Sequence, residues 1–285
     1  MKTNIIGIIT KANFNRGFIR YVKNKFPADF TLLIEQPFQY NFPDNPLLDL
    51  SNGDLLFTLL YELIPLKEFY DSRNIPDTVF YDSLGDISFH INRYFDTHRE
   101  YGVNKNDLQW LSFIYKCEIF DLGSLRFQKI HFTYAEYERE SYDYMPLSDE
   151  VKKRFVEGEP IIKVHIQKDA SLKSEKIDTS FRLALDFFTS YFPEHNFKVF
   201  TCRSWMLYPP TQDILPPDSN ITAFANRFEI IATNQNTKQA LDRIYETSDM
   251  AEIEKMEKPS SLAKVAYKNL DKLGVAAGVI PRIDK

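Results

Sequence analysis

Ile161-Ile162-Lys163-Val164-His165-Ile166-Gln167 is a short apolar run with the character of a buried strand, since Ile161, Ile162, Val164 and Ile166 fill most of its positions. Downstream, Asp178 to Phe192 has the periodicity of an amphipathic helix, with Ser174, Asp178 and Thr179 in its N-cap region. Phe197 to Tyr208 is again strand-like. Strand, helix and strand within about 45 residues make a βαβ unit, and the connection rules for such units lay the two strands parallel. This unit sets the fold class as α+β, a mixed sheet with flanking helices.

Outward from that unit, the pattern changes in both directions. Upstream, Asp54 to Ser72 carries apolar residues at helical spacing, with Pro65 expected to kink it. Tyr81 to Tyr94 and Asp107 to Tyr115 predict two more helices, so the first 115 residues are mostly helical. At Cys117 the character shifts: Glu118 to Phe132 is rich in strand formers around Gly123-Ser124, which predicts a hairpin. The expected organisation is a helical domain over 1–116 and a sheet-containing domain over 117–285. Tyr134 to Glu159 is dense in acid and tyrosine, including Glu136, Tyr137, Glu138, Glu140, Tyr142, Asp143 and Tyr144. A run of this kind reads as a solvated loop or short helix across the outside of the sheet, with a substrate lid as the sharper alternative. Helices near Ser219 to Asn226 and Ser260 to Lys272 flank a short strand, Phe228 to Ala232.

The 285 residues suffice for about two domains, at roughly 150 residues each. With 24 Phe, 16 Tyr and 2 Trp against 9 Gly and 15 Pro, the chain is too aromatic and too sparsely punctuated for a disordered or collagen-like polymer. A net charge of −5 argues against a nucleic-acid-binding surface. Leu55 to Leu66, interrupted by Glu62 and Pro65, falls well short of the roughly 20 apolar residues of a membrane span. Ile5 to Ile9 is too short for a signal-peptide core, so a cytoplasmic protein without membrane partners is expected. Cys117 and Cys202 lie far apart, with no metal-ligand spacing around either, which predicts neither a disulfide framework nor a metal site. Neither a phosphate-binding loop nor a GxGxxG spacing is present, which argues against NTP hydrolysis and Rossmann-type redox chemistry.

Few residues carry obvious chemistry. Along Phe197 to Tyr208, alternation puts Phe200, Cys202, Ser204, Met206 and Tyr208 on one side and Thr201, Arg203 and Trp205 on the other. Ser204 lacks the flanking glycines of a nucleophile elbow, so a locally hydrogen-bonded serine, able to donate to an oxyanion, outweighs a nucleophile. Cys202 requires a positive microenvironment or a paired base to ionise, and a buried, inert thiol is the default. His165, with a reference pKa of about 6.5, suits proton transfer, against the plainer reading of a hydrogen-bonded structural histidine. His195 sits in a helix-to-strand loop where surface exposure is expected, and His90, His98 and His131 lack the spacing of a metal cluster. Leu215-Pro216-Pro217-Asp218-Ser219-Asn220 opens a helix whose free N–H groups suit an anionic or carbonyl oxygen.

Taken in order, Tyr81-Asp82-Ser83-Leu84-Gly85-Asp86-Ile87, Leu122-Gly123-Ser124-Leu125-Arg126-Phe127-Gln128, Val164-His165-Ile166, Phe200-Thr201-Cys202-Arg203-Ser204-Trp205-Met206-Leu207 and Leu215-Pro216-Pro217-Asp218-Ser219-Asn220-Ile221 resemble a bacterial family of acyltransferase domain-containing proteins. That family joins a helical N-acyltransferase region to a GNAT-like (N-acetyltransferase-like) C-terminal domain. The resemblance implies an acyl-CoA-dependent N-acyltransferase, with acyl-CoA as cosubstrate and a small-molecule or peptide amine as acceptor. It implies that Val164 and Ile166 lend their backbone to the pantetheine; and because amine acylation needs a deprotonated amine and a stabilised oxyanion, the candidates are His165 as base or water-positioner, Ser204 as donor to the thioester carbonyl and Asn220 as the contact to the acyl donor. Two departures stand out. Gln167 to Lys173 has no glycine where the superfamily's phosphate loop has two small residues, and Asn220-Ile221-Thr222-Ala223 is followed by Arg227 where a leaving-group tyrosine is usual. These departures keep a second reading open, a non-catalytic binding or regulatory module on a GNAT-like scaffold. A serine or cysteine hydrolase is a third, resting only on Ser204 and Cys202.

Overall fold

The computed structural model describes residues 1–27, 30–139, 144–168, 170–258 and 260–282. Six strands, β1 (Ile119–Leu122), β2 (Leu125–His131), β3 (Pro160–His165), β4 (Val199–Ser204), β5 (Glu229–Asn234) and β6 (Val275–Pro281), form one sheet in the order β1-β2-β3-β4-β6-β5. β3 and β4 are parallel and joined by the helix Ser174–Tyr191, the βαβ unit expected from the sequence. The pairs β2·β3, β4·β6 and β5·β6 are antiparallel, which makes the sheet mixed.

Two of the strands differ from expectation. β4 stops at Ser204 rather than Tyr208, because Ser204 Oγ accepts a hydrogen bond from the Met206 N–H and caps a 3₁₀ turn over Trp205–Leu207. Trp205 thereby leaves the sheet and packs with Leu241, Tyr245, Ile253 and Ala266 among the following helices. β6 was not anticipated from its pattern, Val275-Ala276-Ala277-Gly278-Val279, which is poor in strand formers. It is nonetheless wedged between β4 and β5 and buried from Val275 to Val279. A Cβ on Gly278 would lie 2.8 Å from Phe228 Cβ and 3.2 Å from Glu229 O, so small residues are what the space admits.

Strand register defines the two faces. Ile162↔Phe200 and Val164↔Cys202 set Ile162, Val164, Phe200, Cys202 and Ser204 on one face, together with Phe127 of β2. The crossover helix covers this face through Phe181, whose ring lies 5.6 Å from Phe127 and 5.1 Å from Phe200. Ser180 of the same helix accepts a hydrogen bond from the Ser124 N–H at 2.7 Å. Gly123, at φ +81°, is required beside it both by that conformation and because a Cβ would lie 2.6 Å from Ser180 Oγ.

The opposite face carries Ile161, Lys163 and His165 with Val199, Thr201 and Arg203. Here the acid- and tyrosine-rich stretch takes the expected form of short helix across the outside of the sheet, in Ala135–Glu138 and Asp149–Arg154, but it is not merely solvated: Tyr137, Met145, Leu147, Val151 and Phe155 are buried against Ile161, Val199, Ala277 and Val279. Its apolar residues, interleaved among the charged ones, are drawn to the sheet, and Glu136 goes with them to pair with Lys163. Glu140, Tyr142 and Asp143 lie outside the described residues.

The chain divides into two compact units, Met1–Asp121 and Leu122–Lys285, the division falling within β1. The first unit contains helices Lys2–Lys11, Arg16–Lys25, Asn52–Tyr61, Leu63–Ser72, Asp77–Ser83, Gly85–His98 and Leu108–Tyr115. The break in the Asp54 to Ser72 pattern falls at Glu62, not at Pro65. Pro65 sits in the first turn of the new helix, where its missing N–H leaves no bond unmade. Among the described residues no helix is long and apolar enough to cross a membrane.

Candidate active site

The parallel pair supplies the centre of the site. β3 and β4 are in register at only three positions, Ile162↔Phe200, Lys163↔Thr201 and Val164↔Cys202. His165 at the end of β3, and Arg203 and Ser204 at the end of β4, lie beyond that ladder. On their outer sides the same residues stay in the sheet, His165 opposite Arg126 of β2, and Arg203 and Ser204 opposite Ala277 and Ala276 of β6.

His165 is fixed on the face opposite the crossover helix. Its Nε2 lies 2.9 Å from Oε1 of the buried Gln128, and with the amide oriented this way the imidazole donates from Nε2. Gln128↔Lys163 and Arg126↔His165 are cross-strand partners, so Gln128 and His165 meet diagonally on one face. Burial drives the His165 pKa well below the ordinary histidine value, and the cations of Lys163, Arg126 and Arg203 drive it the same way. The ring is therefore neutral at physiological pH. Lys163 forms an ion pair with Glu136, and Arg203 Nη1 donates to the Glu136 carbonyl at 2.6 Å, so the short helix Ala135–Glu138 is tied to the ends of both strands. Burial, reinforced by the Glu136 charge, pushes the adjacent Tyr137 phenol far above its usual range.

Ser204 is on the other face of the sheet, so it and His165 are not a facing pair. Its Oγ is engaged as acceptor by Met206 N at 3.2 Å, which leaves the hydroxyl proton to donate. Cys202 is fully enclosed and its thiol is pushed up to about 12 by burial, which excludes a thiolate nucleophile at neutral pH. Val164 is buried within the ladder, and Ile166 lies one residue past the end of β3, partly buried. Asn220 is exposed and opens the helix Asn220–Ala225, where Ser219 supplies the cap to Thr222 N at 3.1 Å. Arg227 pairs with Asp178 of the crossover helix. His195, expected on the surface, is half-buried: its ring is 2.9 Å from the Ile161 carbonyl, and it pins its loop to β3.

After β3 the chain runs through Gln167 to Lys173 into the crossover helix, with Asp169 outside the described residues. The N-cap residue, Lys173, makes no side-chain cap bond, so the first-turn N–H groups are not taken up by it. A phosphate-bearing cosubstrate fits that helix end. The absence of a glycine in this stretch limits how closely backbone approaches it.

Gln128, Lys163, Glu136 and Arg203 were not singled out from the sequence as a group. The available signal was the placement of Lys163 and Arg203 inside otherwise apolar strands.

A mixed sheet with one parallel pair joined by a single long helix is of the GNAT-like class of fold. Residues 119–280 match the family described as GNAT-like C-terminal domain, and residues 29–117 match the N-acyltransferase N-terminal domain. The first match takes in more than half of the chain, and the protein belongs to this family. Among solved structures, it is similar to an acyltransferase in complex with decanoyl-CoA, with a TM-score of 0.66 at 16% identity over 96% of this chain and 86% of that one. It is also similar to an acyltransferase in complex with decanoyl-CoA and teicoplanin, and to one with CoA and 10C-teicoplanin, each with a TM-score of 0.62 at 19% identity over 80% of this chain. The match spans 66% of the length of those two chains, and at these identities the likeness is one of fold. No curated protein matches the chain.

Proposed function

We propose that the protein is an acyl-CoA-dependent N-acyltransferase whose acceptor is a small-molecule or peptide amine. The observation that carries this reading is the match of residues 119–280 to a GNAT-like domain built round the parallel β3·β4 pair, whose ladder ends at Val164↔Cys202 just before the crossover connection. Val164 on β3 and Ile166, one residue past its end, are the candidate backbone contacts to the pantetheine, while the N-terminus of the crossover helix suits the phosphates. Asn220, at the first turn of its helix, is the candidate contact to the acyl donor.

In this reading the amine nitrogen forms a bond to the acyl carbon, the carbon–sulfur bond breaks, and the thiolate leaves and is protonated. The neutral imidazole of His165, oriented by Gln128, positions the water that carries away the proton the amine loses. The Ser204 hydroxyl donates to the carbonyl oxygen as charge gathers there. Because the two residues lie on opposite faces, they act on different sides of the reacting thioester. Two buried cysteines that form no disulfide suit the cytoplasm, where we place the reaction.

Thermal melting with free coenzyme A and a panel of acyl-CoAs tests the reading, since a ligand at a hundredfold excess over its Kd stabilises the native state by about 2.7 kcal/mol. An upward shift with the CoA species is expected. The absence of any shift at millimolar ligand would overturn CoA dependence in favour of a non-catalytic scaffold, the reading that the glycine-free loop and the Arg227–Asp178 pair support.

A further inference from the structure

The helical unit contains a cavity of about 510 Å³ lined by Tyr21, Asn52, Phe95, Arg99, Glu100 and Tyr101, which has no part in the acyl-transfer reading. We propose that it is a binding site for a small zwitterion of the amino-acid class, with Glu100 taking the ammonium, Arg99 the carboxylate, and the rings of Phe95 and Tyr101 the side chain.

The wall is aromatic and tightly set. Phe95 stacks on Tyr101 at 4.4 Å between centroids, and Tyr21 lies 5.0 Å from Tyr101. Two glycines allow this approach: a Cβ on Gly17 would meet the Tyr101 hydroxyl at 2.7 Å, and one on Gly102 would collide with the Asn52 side chain. A rigid wall of this kind binds flat apolar groups at little cost in entropy.

The charges at its rim are poorly served by the protein itself. Arg99 ends the helix Gly85–His98 in the left-handed region at φ +58°, a conformation uncommon for a long side chain, and no carboxylate among the described residues pairs with it. Among the described residues Glu100 receives only long hydrogen bonds, from Tyr94 Oη at 3.3 Å and Asn52 Nδ2 at 3.4 Å, both on Oε1, and no cation pairs with it. Opposite charges on consecutive residues that line one cavity, with no ion pair to either among the described residues, suit a ligand that carries both signs. Burial first and the Glu100 charge second raise the phenols of Tyr21 and Tyr94, which agrees with an uncompensated carboxylate beside the rings. The volume lies within the ordinary range of small-molecule sites, roughly 300–1,000 Å³, and has room for a large side chain.

Calorimetric titration of the full chain without any acyl-CoA tests the site, with L-phenylalanine, L-phenylalaninamide and 3-phenylpropanoate as probes. L-phenylalanine is expected to bind, and the amide and the acid, each lacking one charge, to bind at least about tenfold more weakly. Glu100→Gln should erase the preference for L-phenylalanine over 3-phenylpropanoate, and Arg99→Gln its preference over the amide, both without change in melting temperature, since the two side chains are exposed. Equal binding of the three probes, no binding at millimolar concentration, or wild-type selectivity in both variants would overturn the proposal. CoA-dependent melting shifts report on the other unit, so the two readings fail separately.

Discussion

The two faces of the sheet are built from the same strands and are put to different uses. Under the crossover helix, Phe127, Phe181, Phe200 and Phe228 form an edge-to-face cluster with no charged partner between the rings. On the opposite face, apolar residues from the 134–159 stretch share the surface with Lys163, His165, Arg203 and Gln128. Alternation along β3 and β4 makes this possible, because each strand sends every second side chain into either environment. One face stores stability, and the other tolerates polar groups that are costly to bury but able to move protons.

The sharpest break in that contrast would come from Phe200→Ala. Its ring touches Phe127, Phe181 and Phe197, and truncation should cost about 3–5 kcal/mol in urea unfolding. A loss below about 1 kcal/mol would mean that this face is not the store of stability described here.

On the polar face, His165→Gln should lower kcat about a hundredfold while leaving the acyl-CoA melting shift in place. Its pH signature is separate. The folded pKa lies below the unfolded value of about 6.5, so below that pH the unfolded chain binds a proton the native ring refuses, and stability falls as pH drops. The variant should flatten part of that decline. His195, which burial shifts in the same direction, adds to the decline, while Glu62, raised to about 7 by burial, works against it because its native carboxyl keeps a proton that the unfolded chain gives up. Melting curves between pH 7.5 and 5, read as a difference between variant and parent, would show a parallel decline if His165 were not the source.

Glu136→Gln removes the partner of Lys163 but keeps the carbonyl that Arg203 uses. With side chains only 16% and 20% exposed, the pair should be worth about 1–2 kcal/mol, between the values for surface and buried pairs. A loss as large as that of Phe200→Ala would erase the distinction between the faces. The smallest effect is expected at Cys202. The native thiol should resist alkylation by iodoacetamide at pH 7.5, and rapid labelling would contradict its burial and its raised pKa.

Much of this arrangement was legible before the structure. The apolar run at Ile161 and the amphipathic stretch after Ser174 predict β3, the crossover helix and β4, because burial on a parallel sheet and a 3.6-residue period leave clear marks in sequence. β6 left none, since Ala276, Ala277 and Gly278 answer to crowding between neighbouring strands rather than to strand propensity. The 134–159 stretch was read by its charges, whereas its fold follows from the buried Tyr137, Met145 and Leu147 among them. Within the site, alternation separates Ser204 from Arg203 on sight. The meeting of His165 with Gln128 depends on the β2·β3 register, which no local pattern encodes.

β6 also has a consequence in time. Ribosomes deliver β5 before β6, yet β6 occupies the position between β4 and β5. Until about forty further residues have emerged, β5 has no seat in the sheet, and the inner edge of β4 presents unpaired backbone amides and carbonyls to whatever is nearby. Newly made chains therefore pass through a stage in which the strand that carries Ser204 is an open edge, and holding that edge apart from its neighbours on other ribosomes becomes a requirement for making the protein at all.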